Sequence, residues 1–105
     1  MDLVTTFRGL NRMESGTATR ALERCSSRLD RLLDGPTTLR AVIEGTPPQY
    51  RVTLTLNLRQ SVLNSEVTGH DLSGLMTQAC ERLRVQMVRK RQRRSSQRHR
   101  EATAS

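Results

Sequence analysis

Aromatic side chains are nearly absent: one Phe, one Tyr and no Trp among 105 residues. Stacking of bases on aromatic rings is thereby excluded as a main source of binding energy, and the core must be built from Leu, Val, Ile, Ala and Met. Long apolar runs are missing too. No stretch approaches the roughly 18 residues of a membrane span, and the opening MDLVTTFRGL has neither the basic start nor the apolar run of a secretory signal. A cytoplasmic protein with no membrane partner is expected. Two cysteines, Cys25 and Cys80, without a CxxC, and two histidines, His70 and His99, supply neither a zinc ligand set nor a disulfide framework. Both cysteines fall on the apolar sides of predicted helices, so buried free thiols are the expectation. No metal or other cofactor is expected.

Acids are scarce in one place. Residues 1 to 81 hold nine Arg against nine Asp and Glu, whereas residues 82 to 105 hold nine Arg and Lys against the single acid Glu101. The whole net charge of +8 therefore belongs to the C-terminal stretch. A neutral body with a basic end suits a polyanion, most often nucleic acid and less often an anionic membrane surface.

What is present reads as β-α-β-β-β-α. Leu3 to Arg8 is rich in β-branched and aromatic residues and stops at Gly9, as a strand does. NRMESG reads as a loop. From Thr17 to Asp34 the apolar residues Ala18, Leu22, Cys25, Leu29 and Leu32 or Leu33 recur at the helical period, with Gly35-Pro36 as cap and breaker. On this helix Arg20, Arg24, Arg28 and Arg31 gather on one flank and Glu23, Asp30 and Asp34 on the other, so the charges are sorted. TLRAVIEG and YRVTLTLNLR flank the turn TPPQ as two strands. In the second, Val52, Leu54, Leu56 and Leu58 alternate with polar residues, the pattern of a sheet covered on one side. Ser61 to Thr68 makes a further strand with Leu63, Ser65 and Val67 inward. The spacing implies a two-layer α+β sandwich: a four-stranded sheet, its first two strands parallel through a helical crossover, with both helices on one face.

The last helix opens at Leu72 behind the cap residue Asp71. Its stripe, Leu72, Leu75, Met76, Ala79, Cys80, Leu83 and Met87, is bordered by Arg82 and Arg89 on one side and by Arg84 and Arg91 on the other. Past Val88 cations stand on every side and no face remains apolar enough to pack. The helix is expected to dock for about four turns and then to project or fray as a basic arm that orders when a polyanion neutralises it. The boundary falls between a folded domain, 1–91, and a basic, disordered tail, 92–105. Arg suits phosphate because its planar fork grips two oxygens at once.

In the stretch YRVTLTLNLRQSVLNSEVTGHDLSGLMTQACERL the sequence resembles the ribosome hibernation-promoting factors, also known as ribosome-associated inhibitors. An alternating strand, a short strand, a Gly-acid helix start and an Ala-containing helix running into basic residues carry the likeness, which extends over residues 1 to about 91. It departs at Ser73, where the family has an aromatic residue, near Thr77, where the family has an acid, and in NRMESGT, which is out of register. The resemblance implies a domain on the RNA of the small ribosomal subunit, lodged where mRNA and tRNA would sit and silencing idle ribosomes under stress. It implies RNA contacts by Arg28 and Arg31 on the first helix and by Arg82, Arg84, Arg89, Lys90 and Arg91 on the last. Arg93 and Arg94 of the tail join them as candidates along an RNA groove. Ending at Ser105, the chain is similar to the short form of the family, and a monomer off the ribosome is expected.

Other classes find less support. A catalytic centre would need a nucleophile beside a base or clustered carboxylates, and His70 next to Asp71 is the only adjacent candidate, placed where a helix cap belongs. GLNRMESG lacks the Lys and spacing of a phosphate loop. No enzyme and no small-molecule substrate are expected. A general double-stranded RNA or DNA binder on the same scaffold is the alternative.

Overall fold

The computed structural model describes residues 1–33, 35, 37–46, 48–59 and 61–104, with side chains as far as Lys90. Six elements follow in order: β1 (Asp2–Arg8), α1 (Arg12–Asp30), β2 (Thr38–Thr46), β3 (Gln49–Asn57), β4 (Val62–Gly69) and α2 (Leu72–Ala104). The strands form one sheet, β1-β2-β3-β4, with β1 parallel to β2 and the other pairs antiparallel. This is the expected topology. The α1 crossover permits the parallel pair, and short connections make the rest antiparallel.

Register carries the core across the strands. Leu39, Ala41 and Ile43 stand opposite Leu56, Leu54 and Val52, which in turn stand opposite Leu63, Ser65 and Val67. Because side chains alternate with a period of two, these residues share one face, and all but the half-buried Leu63 are buried. Ala18, Leu22, Cys25 and Leu29 of α1 and the whole α2 stripe from Leu72 to Met87 join the same cluster. Phe7 and Tyr50 pack at its margin, so the core is aliphatic, as the composition requires.

Three expectations are corrected. The segment NRMESG is no loop: α1 begins at Arg12, and Asn11 caps it. The Asn11 side chain accepts from the Glu14 N–H at 2.8 Å while the Glu14 carboxylate accepts from the Asn11 N–H at 3.0 Å, a reciprocal capping box. Met13 is exposed, so the apolar period starts only at Ala18 and understates the helix. At its other end α1 stops at Asp30 and not at Asp34. The N–H groups of Leu32 and Leu33 bond back three residues, to Leu29 and Asp30, tightening the turn, and Gly35, at φ +101°, lies beyond it. Lastly, Cys25 and Cys80 are not free thiols but a disulfide, with Cα atoms 5.9 Å apart. Each lies on the apolar stripe of its helix, and the two stripes meet on the sheet; a separation of 55 residues gives no hint of it.

α2 starts where expected. The Asp71 carbonyl accepts the Leu75 N–H at 2.9 Å, and its carboxylate folds over the first turn, so close to Gly74 that a Cβ there would meet Oδ2 at 2.6 Å. Gly9 is required for a similar reason. It turns the chain out of β1 at φ +70°, where an added Cβ would collide with the Gly45 carbonyl.

Candidate nucleic-acid interface

The sheet runs β1 up, β2 up, β3 down and β4 up, so α1 and α2 both return downward across its inner face, side by side and parallel. Cys25 facing Cys80 fixes how they are rolled. On α1 it turns the flank of Arg24 and Arg28 toward α2, and leaves the acidic flank toward β1, where Asp30 lies 3.5 Å from the Met1 amino group. The sorting of charges on α1 thus has a structural cause on one side and an unspent set of cations on the other. Among the described residues Arg20, Arg24 and Arg28 make no ion pair. Arg28, in the last turn of α1, also complements the negative end of the helix dipole, and Arg31 follows as the C-cap residue.

On α2 the cations divide between two borders, as the helical period predicts. Toward α1, Arg84 grips the Glu81 carboxylate, its Nε 3.1 and 3.0 Å from the two oxygens and its Nη2 2.5 Å from Oε1. The hydrogen bonds from Arg84 hold the Glu81 carboxyl below its usual range, and the positive fields of Arg84 and Arg28 add to this. Arg28 on α1 and the Glu81–Arg84 pair on α2 therefore form one charged seam above the disulfide. Toward β4, Arg82 donates to the Glu66 carbonyl at 3.4 Å and Gln86 to the Asn64 carbonyl at 2.8 Å, covering the outer edge of the sheet. Lys90 donates to the Ser61 hydroxyl at the β3–β4 connection. Arg89 is exposed. An open groove of about 530 Å³ runs along the outward face of α2, past Gln78, Glu81, Arg82, Val85 and Arg89. Arg91, Arg93 and Arg94 lie on α2, with side chains outside the described residues.

The opposite side of the molecule differs in kind. On the open sheet face Arg8 pairs with Glu44 at 3.6 Å and Arg51 with Glu66 at 3.3 Å. Arg8, Glu44 and Arg51 follow one another in a single cross-strand row, so sign alternates along it, and Glu66 of β4 supplies the second acid beside Arg51. Among the described residues, Arg8 and Arg51 of the sheet face are paired with acids while Arg40 is not, and of the cations of the helices only Arg84 makes an ion pair.

His70 and Asp71, the adjacent pair considered for catalysis, do structural work. The His70 Nδ1 lies 2.9 Å from the Pro48 carbonyl and ties the start of α2 to the β2–β3 turn, while Asp71 closes the first helical turn. Among the described residues no three His, Cys, Asp or Glu side chains converge on a point that could hold a metal. No described helix is long and apolar enough to cross a membrane. Sequence reasoning missed Glu81 and Ser61 as partners of the cations, and Gln86 as a tie to β4. The i, i+3 spacing of Glu81 and Arg84 was a legible signal; the contacts of Gln86 and Lys90 depend on how α2 lies against β4 and were not.

No protein-family model matches the sequence, and no curated protein matches it. Solved structures do. The chain superposes on the N-terminal domain of Protein Y from Thermus thermophilus with a TM-score of 0.69 at 22% identity, covering 85% of this chain and 98% of that one. A ribosomal subunit interface protein from Coxiella burnetii superposes with a TM-score of 0.63 at 13% identity, covering 87% and 98%. At these identities the likeness is one of fold, and it covers most of this chain.

Proposed function

We propose that this protein binds the ribosome, laying its helical face on the RNA of the small subunit where mRNA and tRNA would otherwise sit, and so holds translation in check. The observation that carries the reading is the separation of charge between the two faces of the sandwich. The sheet face pairs Arg8 and Arg51 with acids, while Arg24 and Arg28 of α1, with Arg82, Arg84 and Arg89 of α2, gather on the helical layer, where among these only Arg84 is paired. A phosphate-lined surface would meet cations there and a neutral ladder on the other side. The fold shared with a ribosomal subunit interface protein supports a ribosomal surface over an arbitrary polyanion.

In this reading Arg28, Arg31, Arg84 and Arg91 line the α1 side of the contact and Arg82, Arg89 and Lys90 the β4 side. Residues 92–105 form a basic arm, with Arg93 and Arg94 following the RNA. Arm and domain act by occupancy in the cytoplasm, the protein being a monomer off the ribosome and making no chemical change. The test is gradient sedimentation with ribosomes at near-physiological salt, beside a translation assay and an Arg82/Arg89/Arg91→Glu variant. Stoichiometric binding to the small subunit with inhibited translation, both lost in the variant, is the expected result. Binding that excess bulk RNA competes away, with translation untouched, would replace this reading by that of a general double-stranded RNA or DNA binder.

A further inference from the structure

The disulfide lies where the proposed interface is assembled. Cys25 and Cys80 are 4% and 7% exposed and join α1 to α2 across the floor of their seam. One turn further along each helix stand Arg28 and Arg84, with Glu81 between them. Leu22 and Leu29 on one helix, and Leu83 and Met87 on the other, pack in the same cluster as the sulfurs. The two sulfurs are therefore held together by burial whether or not a bond joins them. Disulfides in the reducing cytosol are rare, and those that occur are mostly transient or redox-sensing.

We infer that Cys25 and Cys80 form a reversible redox cross-link that closes under mild oxidation, stiffening the helical layer and strengthening its grip on polyanion. The cytosolic setting and the effect on binding rest on the proposed function; the cross-link does not. A low-molecular-weight disulfide is the oxidant. The thiolate of one cysteine attacks it, releasing one small thiol and leaving a mixed disulfide, which the second cysteine thiolate resolves by attacking the protein-bound sulfur and releasing the second small thiol. Two electrons pass from the cysteines to the small disulfide, and the two cysteine protons leave on the small thiols. Because both sulfurs are buried, each step waits on a local opening of the α1–α2 seam. The closed form has less freedom to lose on binding, so Arg28 and Arg84 meet a phosphate surface already spaced.

The full chain, equilibrated in mixtures of reduced and oxidised glutathione, would be alkylated and weighed, its Tm measured in each mixture, and each form sedimented with small ribosomal subunits. The expected result is a bond that opens and closes without denaturant, a Tm higher by roughly 10–20 °C when closed, and a several-fold lower Kd for the subunit. Cys25→Ser and Cys80→Ser variants, measured separately, should show a Tm that lies below that of the closed form and does not change from mixture to mixture. A chain that remains reduced throughout, that yields its bond only in denaturant, or whose Tm ignores the bond would overturn the cross-link. Equal subunit affinity in the two states would overturn its role in binding. A Tm response with no subunit binding in either state would instead sink the proposed function and leave the cross-link standing.

Discussion

Glu81 is the acid nearest the cations of α2, and it decides how many of them face outward unspent. A surface carboxylate bound to Arg84 and lying in the field of Arg28 competes with any phosphate for both. Glu81→Gln should raise affinity for the small subunit about two- to five-fold and steepen the salt dependence by about one counterion. Thermal stability should stay within ~0.5 kcal/mol, since an exposed i, i+3 pair contributes little. Titration of small subunits at several salt concentrations reads both quantities, and an unchanged or weakened affinity would count against Arg84 as a contact. Glu14 permits a different test, of the α1 start. The Asn11 N–H and then the Tyr50 hydroxyl hold its carboxyl below the ordinary value of 4.5, outweighing the opposing effect of partial burial. With the folded value depressed, its contribution is present above the unfolded value and is lost as pH falls through the folded one. Tyr50 is pushed the other way by its bond to Glu14, so its contribution is full below about pH 10 and fades at higher pH. Glu14→Gln should therefore flatten the fall in Tm between about pH 5 and about pH 3, and also the fall above about pH 10. Asn11→Ala, which removes the other half of the box, should cost ~1 kcal/mol in chemical denaturation.

At the scale of elements, α2 is one helix with two tasks. Among the described residues its buried stripe spans 72–87, and Arg89 and Lys90 add no core. Truncation after Gln92 should leave stability within ~0.5 kcal/mol while lowering subunit affinity and reducing the salt slope by about 2 or more. Equal affinity across salt concentrations would show that the arm is a solvated tail. The same division explains what the sequence made legible. Every stripe residue of α2 was readable because apolar side chains at helical spacing, followed by unbroken charge, leave one way to dock. The strand phases were readable because Val52, Leu54 and Leu56 alternate without a fault. The start of α1 was hidden because its first turns carry no buried apolar residue before Ala18, and only the Asn11 and Glu14 spacing marked it. The disulfide was hidden for a deeper reason. Two cysteines on the apolar sides of two helices read alike whether they meet or miss, and the roll of α1 against α2 is set by packing and not by either helix's own pattern.

At the scale of the molecule, the charge has a direction. On the open sheet face Arg8 and Arg51 are paired with acids, whereas most described cations of the helical layer are not, so the proposed function has the helical layer meet phosphate. The candidate cations were legible as residue types; that Arg82 also covers the edge of β4, and that Lys90 reaches the β3–β4 connection, required the assembled fold. If the helical face and arm neutralise about 6 phosphates, affinity should fall roughly 10³-fold between about 50 and about 200 mM salt. Reversal of Arg8 and Arg51 to Glu on the sheet face changes the net charge of the molecule by as much as reversal of any two cations of the helical layer. The location of the charge separates them. Arg82/Arg89→Glu should abolish most of the binding and make its salt dependence shallower, whereas Arg8/Arg51→Glu should leave the salt slope within about one unit of the unaltered protein, because the proposed function turns that face away from phosphate. Equal losses from both pairs would mean that net charge alone draws the protein to its partner and that the two faces of the sandwich are not functionally distinct.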